Sequence, residues 1–246
     1  MKVALFIPCY VDQFYPNVAM ATLELLEKYG CEVSYPKNQT CCGQPMANSG
    51  FEHLSTGCNR NFVENFKGYD YIVAPSGSCV LHINEHLHDE NHPAEAEKIR
   101  KTTYELISFL TDILKIEQVE ANFPHKVGMH QSCQGQRGLK LSQMTELNAA
   151  PFSKPLDLLN QVKGIEMIKL DRKDECCGFG GSFCVSEEAV SVKMGIDRVA
   201  DHVRNQADYI TGVDMSCLMH LDGILKRQKS KTQIIHIAEI LNGRTV

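Results

Sequence analysis

The sequence predicts an α/β protein of two pseudo-symmetric three-layer domains, each with a small, mainly parallel sheet flanked by helices. Three observations lead there. Short apolar runs alternate with amphipathic stretches, the pattern of parallel strands joined by crossover helices. The 246 residues are enough for two cores of about 120 residues each. A cysteine pattern also occurs twice, as Cys9, Cys41-Cys42-Gly43 and Cys79, and again as Cys133, Cys176-Cys177-Gly178 and Cys217.

The elements follow in order. Lys2 to Ile7 is a short apolar run stopped by Pro8, read as a buried strand that places Cys9 just past its carboxyl end. A helix is expected from about Asn17 to Tyr29, with Val18, Ala21 and Leu25 on one face and Gly30 as its stop. Cys31 to Tyr35 reads as a second strand leading to Cys41-Cys42-Gly43. A helix from roughly His53 to Phe66 precedes a third strand, Tyr69 to Ala74, which ends at Cys79. In such a βαβ arrangement ligands collect in the crevice beyond the carboxyl ends of the strands, where all four cysteines fall.

Residues 82 to 100, rich in His, Glu and Asn, read as a solvated excursion, and Ile107, Leu110 and Leu114 as the face of a connecting helix. The domain boundary is placed near Asn122-Phe123-Pro124, giving domains 1–124 and 125–246. Lys126 to His130 then precedes Cys133, and Ile165 to Ile168 precedes the second Cys-Cys-Gly. A long helix carries Val192, Ile196, Val199 and Val203 as its expected apolar stripe. Asp208 to Gly212 leads to Cys217.

Composition narrows the function. A 43% hydrophobic and 22% charged chain is of soluble globular type. A net charge of -5 gives nucleic acid no basic surface to bind. The N-terminal apolar run is too short for a signal peptide or a bilayer span, so the protein is read as cytoplasmic, with no direct membrane insertion. Eleven cysteines, an odd number, in a chain with no export signal point to metal or redox chemistry rather than a disulfide scaffold.

The order of cysteines is the same in the two halves, with 31 residues between Cys9 and Cys41 and 36 between Cys42 and Cys79, against wider gaps of 42 and 39 in the second half. Adjacent cysteines have Cα atoms about 3.8 Å apart, short of the roughly 4.4 Å that disulfides need. Four thiolates per half match the ligand set of a [4Fe-4S] cluster, although four thiolates are also a legitimate zinc site. Cys9, Cys41, Cys42, Cys79, Cys133, Cys176, Cys177 and Cys217 are therefore the candidate metal and cofactor ligands. Zinc stays open for the second half.

Four segments, Thr40 to Pro45, Pro75 to Cys79, Glu175 to Gly181 and Asp214 to His220, resemble the cysteine-rich CCG-domain proteins, and among them the lactate utilization protein A family. Wider relatives include the CCG-containing component of heterodisulfide reductase and the iron-sulfur subunits of glycolate oxidase and anaerobic glycerol-3-phosphate dehydrogenase. The resemblance implies an iron-sulfur electron-transfer subunit of an L-lactate-oxidising complex, with the other subunits as partners. It implies a non-autonomous part of an oxidoreductase rather than a lone enzyme. The alternatives are a zinc-stabilised scaffold, or the same electron transfer for glycolate or another 2-hydroxy acid. The usual family pattern carries a fifth cysteine three residues before the last, where this chain has Ser76 and Asp214, and often a His where it has Gln134. That departure argues against a five-thiolate cluster and against disulfide cleavage.

The remaining candidates have bland readings. Cys31, Cys58 and Cys184 read as small buried hydrophobes. His82 and His220, each three residues past a proposed ligand, are candidate hydrogen-bond donors to sulfur. His86, His88 and His92 read as solvated, and Arg137 and Arg172 as ordinary surface cations.

Overall fold

The computed structural model describes residues 1–243 and divides the chain into two compact units, Met1–Lys115 and the residues from Ile116 onward. Residues 116 to 124 go with the second unit because Phe123 is buried there, its N–H donating to Lys163 O at 2.9 Å and its ring 5.1 Å from that of Tyr209.

Each unit holds a four-stranded, wholly parallel sheet flanked by helices. In the first unit β1 (Lys2–Leu5), β2 (Glu32–Ser34), β3 (Tyr71–Ala74) and β4 (Thr103–Glu105) lie in the order β2-β1-β3-β4. In the second, β5 (Lys126–Met129), β6 (Glu166–Met167), β7 (Tyr209–Gly212) and β8 (Gln233–His236) lie in the order β6-β5-β7-β8. The registers correspond, since Val3 pairs with Tyr71 as Val127 pairs with Tyr209. Even the strand starts agree: Lys2 N–H donates to Asp70 at 2.8 Å and Lys126 N–H to Asp208 at 2.9 Å. The central strands are apolar because helices cover the sheet, and Val3, Ala4 and Phe6 are fully buried. Phe6 packs edge-on to Phe62 and Phe66, with ring centroids 4.9 and 5.6 Å away.

The fourth strand of each sheet corrects the reading from sequence. Glu105 and His236 each end a short edge strand and at once cap a helical turn with their own side chains, Glu105 accepting from Ile107 N–H and His236 from Ala238 N–H. Strand and helix thus share one apolar run, which hides the switch in period. The stretch from 82 to 100 is not a solvated excursion. It forms helices Gly77–His86 and Pro93–Thr102, which bury Val80, Ile83, Ala96 and Ile99.

The larger correction concerns helix Glu188–Arg204. Ile196 and Val203 lie exposed, and the face turned to the sheet carries Ser191, Gly195, Arg198, Val199, Asp201 and His202. His202 fits only because β5 has a glycine beneath it: a Cβ at Gly128 would stand 2.2 Å from His202 Nδ1. The first unit has Ala4 at the matching position. Gly128→Ala is expected to destabilise the second unit by about 1–3 kcal/mol through overpacking. Urea unfolding followed by probes specific to each unit checks this, with the first unit's transition unchanged.

Candidate metal centres

The strand order reverses between β1 and β3, and again between β5 and β7, so the connections leaving each pair diverge and open a crevice at the carboxyl ends. The cysteines occupy these two crevices. Cys9 follows β1 and opens helix Cys9–Phe14, and Cys79 sits in the first turn of helix Gly77–His86 after β3. Cys133 follows β5, and Cys217 sits in the first turn of helix Met215–Arg227 after β7. In both units the last cysteine lies at a helix N-terminus. Cys41-Cys42 and Cys176-Cys177 come in on loops from the neighbouring strands β2 and β6.

The structure brings together each set of four thiols named from sequence. Cys9 and Cys42 both hydrogen-bond Cys41, and Cys42 reaches Cys79. Cys133 and Cys177 both bond Cys176, and Cys177 reaches Cys217. All eight are free, as are Cys31, Cys58 and Cys184.

Gly43 and Gly178 make this crowding possible. They have φ of +91° and +90°, which turns the chain just past each cysteine pair, and the N–H of each bonds the sulfur two residues earlier: Gly43 N to Cys41 Sγ at 3.5 Å and Gly178 N to Cys176 Sγ at 3.4 Å. A left-handed residue here costs any side chain about 1–2 kcal/mol.

The electrostatics of the two sets agree. Hydrogen bonds from Cys42 and Cys9 pull the Cys41 thiol down to about 2, and those from Cys133 and Cys177 do the same for Cys176. The donors Cys9, Cys42, Cys133 and Cys177 are pushed up, first by bonding to that thiol and then by burial. One thiol in each set can ionise while its neighbours keep their protons. Only a cation among them would let all four become ligands, which is the chemistry of a thiolate metal or cluster site.

The histidines expected beside sulfur turn to the backbone instead. His82 bonds the Cys42 backbone, and His220 Nε2 lies 3.3 Å from Ser191 O. His86, His88 and His92 meet Glu52, Asn59 and Asp89 and do not converge on a site. Cys184 donates to Gly181 O at 3.0 Å. Arg137 and Arg172 are paired with Glu146 and Glu175, both at 2.5 Å. Beside Cys176 an open cleft of about 940 Å³ is lined by Lys169, Arg172, Lys173, Asp174 and Asp197 among others.

A family model described as a cysteine-rich domain, CCG, matches residues 3–84 and 127–222, the two segments that hold these thiols. Lactate utilization protein A of Bacillus licheniformis is 43% identical, over 99% of this chain and all of its own length. The chain belongs to the lactate utilization protein A family of cysteine-rich CCG proteins. The Bacillus subtilis member is 39% identical over the same share of the chain. Among solved structures, a hypothetical protein from Helicobacter pylori shares the fold at a TM-score of 0.58 and 13% identity, over 98% of this chain and 48% of its own.

What the CCG pattern did not reveal is a buried polar group beside the second set. A ring nitrogen of His130 and the sulfurs of Cys177 and Cys217 lie within 4.8 Å of one another. Arg198, wholly buried, donates through Nε to His130 Nδ1 at 3.1 Å, and through its other nitrogens to Met129 O, Arg172 O and Asp201. Asp201 in turn accepts from Asp171 and Arg172 N–H, at 3.1 and 3.0 Å, holding the loop that leads to Cys176. Aligning the repeats gives the available signal, because His130 falls where the first has Phe6.

The two glycines differ in what surrounds them. A Cβ at Gly178 would lie 2.6 Å from the Ser191 carbonyl oxygen, whereas one at Gly43 would come no nearer to any atom than 3.0 Å, at the Ser55 Cβ. Gly178→Ala is therefore expected to strip most bound metal from its site, and Gly43→Ala to weaken its own site less. Metal content per polypeptide after anaerobic purification of each variant reads this directly.

Proposed function

We propose that this chain is the iron-sulfur electron-transfer subunit of a system that oxidises L-lactate, with one thiolate-held cluster in each unit. The observation that carries the reading is the convergence of four thiols at each strand-order reversal, in an arrangement that only a cationic centre lets ionise together. Membership of the lactate utilization protein A family supports the role in lactate utilization. When bound, a [4Fe-4S] centre supplies one-electron chemistry.

The chain's own residues do the rest. Cys9, Cys41, Cys42 and Cys79 would hold the first centre, and Cys133, Cys176, Cys177 and Cys217 the second. Gly43 and Gly178 donate backbone N–H groups to the first sulfur of each pair, a contact of the kind that tunes cluster potential. Burial of Cys42 and Cys177 keeps water from the inner sulfurs. Substrate oxidation and the final electron acceptor are assigned to partner subunits. No helix among the described residues is long and apolar enough to cross a membrane.

A second reading, zinc in the second unit, draws on the closeness of His130 to Cys177 and Cys217, since zinc accepts mixed His and Cys ligands. Metal analysis separates the two. Protein purified without oxygen is expected to be brown, with iron and acid-labile sulfide near four per unit; stoichiometric zinc in place of iron would sink the electron-transfer reading.

Cys42→Ser is expected to remove about half of the iron and leave the second centre's spectrum intact, and Cys177→Ser to do the converse. Growth of a deletion strain on L-lactate, glycolate and other 2-hydroxy acids identifies the donor. Loss of growth on L-lactate alone is the expected result.

A further inference from the structure

The two units present the same four thiols but different neighbours, and the difference is concentrated at one position. Where the first unit has Phe6, fully buried among Phe62 and Phe66, the second has His130, 1% exposed, at the end of β5. Its backbone keeps the repeat's geometry, because His130 N–H donates to Thr211 O as Phe6 N–H donates to Val73 O. Its side chain brings a ring nitrogen within 4.8 Å of the Cys177 and Cys217 sulfurs. The ring's Nε2 is buried with no hydrogen-bond partner among the protein's atoms.

Arg198 decides what Nε2 can do. A guanidinium nitrogen only donates, so its bond to Nδ1 requires a lone pair on that atom. That bond excludes the doubly protonated ring, so the imidazole is neutral and carries a single proton. With Nδ1 accepting, that proton is on Nε2. An Nε2–H cannot ligate zinc or iron unless Arg198 lets go of Nδ1 or the ring becomes an imidazolate. It can donate to sulfur. Among the described residues Arg198 has no slack: its three nitrogens are committed to His130, Arg172, Asp201 and Met129, and Asp201 is held by two backbone donors.

We propose that His130 is a hydrogen-bond donor to the sulfurs of the second centre, with Arg198 as the positioning residue that fixes its tautomer, and that this donor raises that centre's reduction potential. The proposal rests on the iron-sulfur reading of the second unit. A donor to cluster sulfur stabilises the more negative, reduced state, so its removal lowers the potential. The first unit has only a phenyl ring at this place. Asp214, buried and accepting from Ser132 Oγ at 3.0 Å, brings a carboxylate where the first unit has Ser76, and acts in the opposite direction. The proposal therefore concerns the shift on removing His130, not the order of the two potentials.

The test uses the full-length protein purified without oxygen, carrying His130→Phe or His130→Gln, in redox titrations followed by EPR. The centre lost in Cys177→Ser is the one read. In His130→Phe, iron and sulfide are expected to stay at the wild-type level while that centre's midpoint falls and the other's does not move. His130→Gln, which keeps an N–H, should restore part of the shift.

Loss of the second centre's iron from a folded His130→Phe protein would make His130 a ligand and overturn the proposal, and an unmoved midpoint would overturn it too. Should His130→Phe not fold, pulsed EPR of the reduced wild-type protein in H2O and D2O decides. An exchangeable proton and a weak histidine nitrogen coupling support donation, and a strong nitrogen coupling or no such proton refutes it. Zinc in the wild-type second unit would overturn the iron-sulfur reading itself, an outcome that metal content identifies before any potential is measured.

Discussion

Four sulfurs packed into hydrogen-bonding contact are the constraint on which each unit's architecture depends. Sulfurs this close cannot share several negative charges without a cation among them: Cys41 is low first because Cys42 and Cys9 donate to it, with the Gly43 N–H adding to their effect. Holding the group together falls to the backbone. Parallel strands end side by side at the order reversal, helices begin there with their N–H groups toward the crevice, and a left-handed glycine turns the paired cysteines inward.

The same strand-end problem is solved differently in the two units. At the end of β1 the loop residue Gln39 accepts from Ile7 N–H at 2.7 Å and donates to Leu5 O at 3.1 Å. The matching carbonyl in β5, Met129 O, is met instead by Arg198 from a helix, at 3.3 Å. A glutamine on the cysteine loop is a light solution. A buried guanidinium carries a heavy desolvation cost and needs Asp201 to offset it, so breaking that pair would cost about 3–5 kcal/mol. The extra burden coincides with His130, which a glutamine reaching only the strand end would not orient.

Much of this was legible in the sequence because it is written in residue types with few uses. The paired cysteines, the glycine after them, the short apolar runs and the matched flanks of Cys79 and Cys217 gave two parallel α/β units with a thiol set in each. Edge strands β4 and β8 stayed hidden, since three or four residues running straight into a helical turn leave no full period to read. The face of helix Glu188–Arg204 was misread for a physical reason. Val192, Ile196 and Val203 form a good apolar stripe, but periodicity reports the existence of a face and not what it meets. Here the sheet side is a polar layer, whose charged members Arg198 and Asp201 bond each other and the local backbone.

His130 escaped detection for a related reason: at the end of an apolar strand a lone histidine is ordinarily a satisfied core residue, and its meaning depends on a partner 68 residues away. The repeat itself supplies the comparison that a single site lacks. Where two copies of one fold hold the same ligands, their common features are those the ligands require, namely the order reversal, the glycine turn and the helix N-termini. Their differences are free to set how each centre behaves. Phe6 against His130, Ser76 against Asp214 and Gln39 against Arg198 all fall in the layer just behind the thiols. Duplication thus kept the thiol set and left its surroundings to diverge, so that one fold gives two identical donor sets different electrostatic neighbours.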